Sequence, residues 1–185
     1  MKSLKSLAPI PGDNLLLADT EKPALNRVRA SRTRRRFHAV LLVLLVLAAC
    51  VSLAAGDIAD IGDLWSLLLL AFLGLLAPVL YLITRLNQIS RMSLPYRLLD
   101  ERQRGDRDDA HRFGQRMTSA MLGLSFVLSA LITIVFSPGG ADFPGWLVLP
   151  LLWLLVMAHT MAPALYLAWT QPDELPEEDD DLDQA

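Results

Sequence analysis

Hydrophobic positions along this chain fall into four long blocks, residues 37–55, 65–84, 117–136 and 146–169, and none of the blocks contains Asp, Glu, Lys or Arg. Each has the length, ~20 residues, that a helix needs to cross the hydrocarbon core of a bilayer. An irregular chain or an open sheet edge would leave backbone groups unpaired in lipid, so blocks this apolar predict helices. The expected fold is all-α, a polytopic membrane protein with four transmembrane helices. The gaps at 56–63 and 137–145 are short, and the second is rich in breakers (Pro138, Gly139, Gly140, Pro144, Gly145). Such gaps pair the first span with the second and the third with the fourth, as two antiparallel hairpins.

The polar remainder divides the chain into a basic arm over 1–36, a first hairpin over 37–84, an Arg/Asp-rich loop over 85–116, a second hairpin over 117–170 and an acidic tail over 171–185. Arm and tail read as disordered, the arm because Pro9, Pro11, Gly12 and Pro23 interrupt it without sustained periodicity. Leu15-Leu16-Leu17 is a candidate short docking segment within the arm. Trp65 and Trp146 fall at the outer ends of the second and fourth spans and Tyr81, Tyr166 and Trp169 near their inner ends, as aromatic belts require.

Charge orients these spans. All 17 Lys and Arg residues lie in 1–36 and 85–116, whereas the two short gaps hold Asp57, Asp60, Asp63 and Asp142 and no basic residue. The positive-inside rule then places both termini and the central loop in the cytoplasm of a cell inner (plasma) membrane. The net charge of −3 conceals the asymmetry, because eight acids crowd residues 173–183. Six arginines between Arg27 and Arg36 sit beside the first span, where anionic headgroups attract them. An orientation signal accounts for them equally well. The tail is able to fold back over the basic loop or arm, or simply to remain solvated.

Cys50 is the single cysteine, so neither an intramolecular disulfide nor a multi-cysteine metal site is open to the chain. Thr33-Arg34-Arg35-Arg36-Phe37 has the look of a twin-arginine export signal and Leu47-Ala48-Ala49-Cys50 that of a lipoprotein cleavage box. Apolar sequence continues past Cys50 to Ala55, which favours an intact first span.

The second and fourth spans share a word, Ala77-Pro78-Val79-Leu80-Tyr81-Leu82 against Ala162-Pro163-Ala164-Leu165-Tyr166-Leu167. Duplication of the hairpin, giving a tandem repeat, and chance similarity between apolar segments both account for it. The prolines have a definite consequence: Pro78 frees the carbonyl of Gly74, and Pro163 that of His159. His159 adds an imidazole and Thr160 a hydroxyl at that level, and an ionisable group within a span marks a candidate site. Ser125, Ser129 and Thr133 recur every four residues on the third span and are candidate partners, although such a stripe also serves plain helix packing. Ala71, Gly74 and Ala77 offer a matching surface on the second span. Together, His159, Thr160, Gly74, Pro78, Pro163, Ser125, Ser129 and Thr133 form the candidate intramembrane polar site.

In the central loop, Pro95 precedes a run in which Arg97/Glu101 and Asp100/Arg104 are helix-compatible ion pairs. Gly105 is expected to break that helix and Asp106 to cap a new one that runs on into the third span. Arg97, Asp100, Glu101, Arg102 and Arg104 are the candidate cytoplasmic interaction residues. Two spans, a Leu-Asp-Glu-Arg-Gln word at 99–103 and two further spans resemble uncharacterised bacterial four-helix integral membrane proteins with an Asp-Glu-Arg motif in the central loop. The matching residues are Asp100, Glu101 and Arg102. The resemblance covers roughly residues 37–170 and implies the same topology, without an activity.

Chemistry-bearing patterns do not appear. No nucleophile elbow, phosphate loop, His-Glu metal spacing or paired intramembrane carboxylate is present, so neither an enzyme, a cofactor nor a metal centre is expected. The arginines lie among acids beside membrane spans, which argues against nucleic acid as a partner. The expected partners are anionic lipid headgroups and either a second membrane protein or further copies of this chain. The first reading is an accessory or regulatory subunit that binds through its loop and termini; the alternative is a homo-oligomeric transporter or channel with a site near His159 and Gly74. In a chain with Cys50 replaced by Ala, single cysteines at residues 60 and 140 should react with an impermeant thiol reagent in intact cells, and one at residue 105 should not. The opposite labelling pattern would invert the topology.

Overall fold

The computed structural model describes residues 22–58, 62–136 and 147–172. The Leu15–Leu17 segment, the 137–145 turn, Trp146, the Trp65 side chain and the acidic tail lie outside them. The described residues form α1 (Pro23–Arg29), α2 (Arg32–Ile58), α3 (Gly62–Ile89), a 3-10 turn (Tyr96–Leu98), α4 (Glu101–Phe136) and α5 (Val148–Thr170). Four of these, α2 to α5, are long and apolar enough to cross a membrane. The chain is an all-α, four-helix membrane protein, and α2 runs unbroken through Cys50.

Two regions differ from the sequence-based expectation. Part of the basic arm is helical: α1 starts at Pro23, whose fixed φ suits a first helical position, and buries Leu25 and Val28 against Ile89 at the end of α3. The loop helix also ignores Gly105. Asp100 caps it through its carboxylate, which accepts the Gln103 N–H at 2.7 Å, while the Asp100 N–H donates to Gln103 Oε1 at 3.4 Å. This reciprocal box nucleates a helix one turn before the glycine. Continuing through one exposed Gly costs about 1 kcal/mol, less than breaking and renucleating a 36-residue helix. Asp106 is therefore an interior residue and caps nothing. Arg97 belongs to the 3-10 turn, so it has no helical i,i+4 relation to Glu101.

Consecutive helices pack as hairpins, α2 along α3 and α4 along α5. The hairpins join mainly through α2 and α5, while α3 touches α5 lightly. The core shared by α2, α3 and α5 has a seam with alternating spacings of three and four. Ala39, Leu42, Val46 and Ala49 form it on α2, opposite Val79, Leu82, Leu86 and Ile89 on α3. That is the period of helices that stay in register while wound about each other. Trp153 of α5 closes the centre, donating its indole N–H to the Val46 carbonyl at 3.2 Å and meeting Phe72 edge-on at 5.1 Å.

The words shared by the second and fourth spans use corresponding positions alike in part: Leu82 and Leu167 are buried, as are Val79 and Ala164 at the one position where the words differ. Tyr81 faces outward, whereas Tyr166 stacks on Phe113 of α4 at 5.0 Å. The difference follows from α5 having a neighbour on each side.

Helix α4 stands apart. Its buried residues among those described are Ala110 and Gly114, one turn apart, and Gly114 faces α5. A β-carbon on Gly114 would lie 2.9 Å from Pro163 Cγ and 3.1 Å from Cδ, so the helices cross where one residue has no side chain and the other is a rigid ring. Gly105, by contrast, has nothing within 4 Å of such a β-carbon. Gly114→Ala should therefore destabilise the detergent-solubilised protein by about 1–3 kcal/mol through overpacking, and Gly105→Ala should stabilise it by roughly 0.5–1 kcal/mol. Thermal unfolding of the two variants checks the opposed signs.

Candidate functional site

The C-terminal ends of α3 and α5 lie side by side at the arginine-rich end of the bundle, and each leaves its last carbonyls without partners in its own helix. Arginines from α1 and the start of α2 take those carbonyls. Arg29, 2% exposed, donates Nε–H to Ile89 O at 3.0 Å and Nη2–H to Gln88 O at 3.2 Å, and is braced by Asn26 Oδ1 at 3.1 Å. Arg35, 1% exposed, donates to the carbonyls of Arg29, Gln171 (2.6 Å) and Pro172 (3.0 Å). Arg32 reaches Trp169 O at 3.1 Å, and the Arg36 guanidinium lies 4.7 Å over the Trp169 ring. Helix C-termini carry about half a negative charge, so cations here are favourable twice over, as donors and as countercharge. These residues thus hold the carbonyl ends of neighbouring helices together, whatever part they take in orienting the spans.

After α3 the chain turns sharply. Arg91 N–H bonds to Gln88 O at 3.2 Å and Met92 N–H to Asn87 O at 2.9 Å, a Schellman turn. Its left-handed residue, usually glycine, is here Arg91 at φ 56°. The loop is then pinned to α4: Arg107 donates to Leu94 O at 2.6 Å and Arg104 to Tyr96 O at 3.1 Å, with its guanidinium 5.3 Å over the Tyr96 ring. The predicted interaction residues therefore divide. Asp100 and Arg104 are spent on folding the loop, whereas Arg97, Glu101 and Arg102 are exposed.

These elements enclose a cavity of about 420 Å³. Five arginines, Arg29, Arg35, Arg91, Arg102 and Arg107, are among its lining residues, together with Asp100 and Asp106. Its apolar floor includes Ile89 and Leu167.

A second space, about 740 Å³, opens between α3, α4 and α5 and brings His159, Thr160 and Pro163 together with Thr84, His111 and Gln115. His159 Nδ1 lies 3.2 Å from Thr118 Oγ1, and that hydroxyl donates its proton to Gly114 O at 2.8 Å. With its proton on that carbonyl, the hydroxyl accepts from Nδ1–H in this arrangement. Thr160 returns its hydroxyl to Val156 and Met157 carbonyls of its own helix. The rest of the predicted intramembrane site is elsewhere. Gly74 is exposed, with nothing within 4 Å of where a β-carbon would stand, and Ala71 and Ala77 are exposed beside it. Pro78 is half-buried on the same helix and does not line the cleft. Ser125, Ser129 and Thr133 are half-buried on one face of α4, with Thr133 bonded to Ser129 O at 2.9 Å. They do share a face, as predicted, but Thr118 is the hydroxyl that meets His159. The surface opposite α4 belongs to α5, because α4 packs along α5 and not along α3.

None of Arg29, Arg35, Thr118 and His111 was assigned to a site from the sequence. One signal for Arg35 was present: it continues the α2 seam backwards, 35–39–42–46–49, onto the buried side of the helix.

No protein-family model matches the chain, and no curated protein or solved structure matches it either.

Replacing Arg35 with Ala should cost about 3 kcal/mol, because several carbonyls lose a charged donor at once. Arg34→Ala removes the same formal charge from an exposed position and should leave the melting temperature nearly unchanged. Equal effects of the two would return Arg35 to a purely topological role.

Proposed function

We propose that this protein is an accessory or regulatory membrane subunit, held in the inner membrane of a bacterium with both termini cytoplasmic, that docks onto a second membrane protein through α4. One observation carries the reading. The apolar window of α4 has no buried residue, against 22%, 11% and 33% buried in the corresponding windows of α2, α3 and α5. This span is held on one side by α5 and presents Phe126, Ile134 and Val135 outward.

The same helix continues beyond the membrane. At 36 residues it is about 54 Å long, against a core of ~30 Å, so roughly its first four turns project into the arginine-rich end. Glu101 and Arg102 are exposed there. A partner therefore meets one continuous rod, apolar within the bilayer and charged beyond it. The transport alternative draws less support. Its proposed elements lie on different surfaces, Gly74 facing out of the bundle and the Ser125–Thr133 stripe half-buried on α4 away from the cleft of His159.

A photo-crosslinking residue at Phe126 or Ile134 should give one discrete adduct with another protein in native membranes, and one at Val51 on α2 should give none. The charge reversal Arg102→Glu should lower co-purification of that partner in mild detergent by about tenfold, while His159→Leu leaves it unchanged. An adduct of twice this chain's mass, or adducts of equal yield from both helices, would overturn the accessory reading.

A further inference from the structure

The arginine-lined cavity does not end at its own walls. It shares Arg102, Asp106, Leu167 and Gln171 with a neighbouring space of about 240 Å³. That space in turn shares Tyr166 and Thr170 with a groove of about 600 Å³ between α2, α4 and α5. The polarity changes along this path. It begins among arginines at the C-terminal ends of α3 and α5 and finishes among Val46, Leu154, Met117, Met121 and Met161.

From the adjacency of these openings we infer that the chain carries a binding site for one anionic phospholipid of the leaflet at its arginine-rich end, with the headgroup phosphate in the cavity and an acyl chain in the groove. Charge selects the headgroup: five arginines and two aspartates line the cavity, and a phosphate diester supplies acceptor oxygens with the geometry that guanidinium forks match. Arg29, Arg35 and Arg107 are already held in place by backbone carbonyls, so they lose little freedom when an anion arrives. Shape selects the chain. Between Trp169 and Leu154 the groove follows α5 for about 22 Å by helical rise, enough to take a chain through the ~15 Å that is one leaflet's share of the core. Three methionines among its walls adapt their conformation to a flexible hydrocarbon. A soluble phosphate would use the cavity and leave the groove without purpose, and an apolar molecule would do the reverse.

The test uses the purified full chain in detergent, free of any partner, so that it stands or falls separately from the docking of α4. Thermal unfolding and native mass spectrometry are followed with phosphatidylglycerol, with phosphatidylcholine of the same acyl chains, and with inorganic phosphate. Phosphatidylglycerol should raise the melting temperature and remain bound at concentrations at least tenfold below those phosphatidylcholine requires, and inorganic phosphate should have little effect. Arg91→Gln with Arg102→Gln should remove the preference between the two lipids. Met121→Trp, which fills the groove, should weaken both lipids alike and leave the response to inorganic phosphate unchanged. Equal binding of the two lipids, selectivity that survives the double arginine variant, or phosphate binding as tight as the lipid would each overturn the inference. So would phosphatidylglycerol binding that appears only after residues 173–185 are deleted, which would make the acidic tail the occupant.

Discussion

The arrangement depends on guanidinium groups seated on the carbonyl ends of neighbouring helices. Because the four spans alternate in direction, the arginine-rich end of the bundle holds the N-termini of α2 and α4 and the C-termini of α3 and α5. Arginines in the first turns of α2 stand at the unfavourable pole of their own helix. They are tolerable because the carbonyl ends of α3 and α5 lie alongside, and Arg29 and Arg35 convert that proximity into hydrogen bonds. The same device recurs in the loop, where Arg104 and Arg107 hold the carbonyls of Tyr96 and Leu94. At this end, cations act first as donors to backbone oxygen.

This explains why α1 exists. A seven-residue helix is too short to be stable alone, but Leu25 and Val28 give it an apolar anchor on Ile89, and its last residue delivers Arg29 to the end of α3. Buried charge is expensive unless its hydrogen-bonding capacity is met. Here the unmet carbonyls of two helix ends supply that capacity. The result is a cation-rich floor at this end of the bundle, on which the arginine-lined cavity is built.

Much of this was legible in the sequence and some was not, for identifiable reasons. Long uncharged blocks define spans directly, because lipid permits little else, and the short breaker-rich gaps define the hairpins. The faces of the spans were hidden. In a soluble helix the polar side reveals the buried side by contrast, but Leu41, Leu44 and Leu45 are as apolar as buried Leu42, so the seam of α2 leaves no such contrast. Small residues misled in the second span, where Ala71, Gly74 and Ala77 face outward, and were informative in the fourth, where Ala162, Pro163 and Ala164 are packed. The two proline words look alike, yet their surroundings depend on which helices flank them, and that is tertiary information. Gly105 misled because a local breaker was weighed without the capping box that precedes it.

The asymmetry of the bundle is written most compactly in seven residues of α4. At 100° per residue, Gly114 points at Pro163, His111 and Gln115 lie to one side of that line, and Phe113 and Met117 lie to the other. Since α4 rests on α5 alone, with α3 and α2 standing off on opposite flanks, each side of α4 overhangs a separate opening. The side carrying His111 and Gln115 makes the cleft of His159 polar; the side carrying Phe113 and Met117 makes the groove beside α2 apolar. Rotating α4 by a single residue in either direction would turn polar side chains into the groove, His111 and Thr118 in one case and Arg112 and Arg116 in the other, and the close fit of Gly114 against a proline ring opposes the rotation. A glycine that supplies no side chain thus decides which opening is wet and which is greasy.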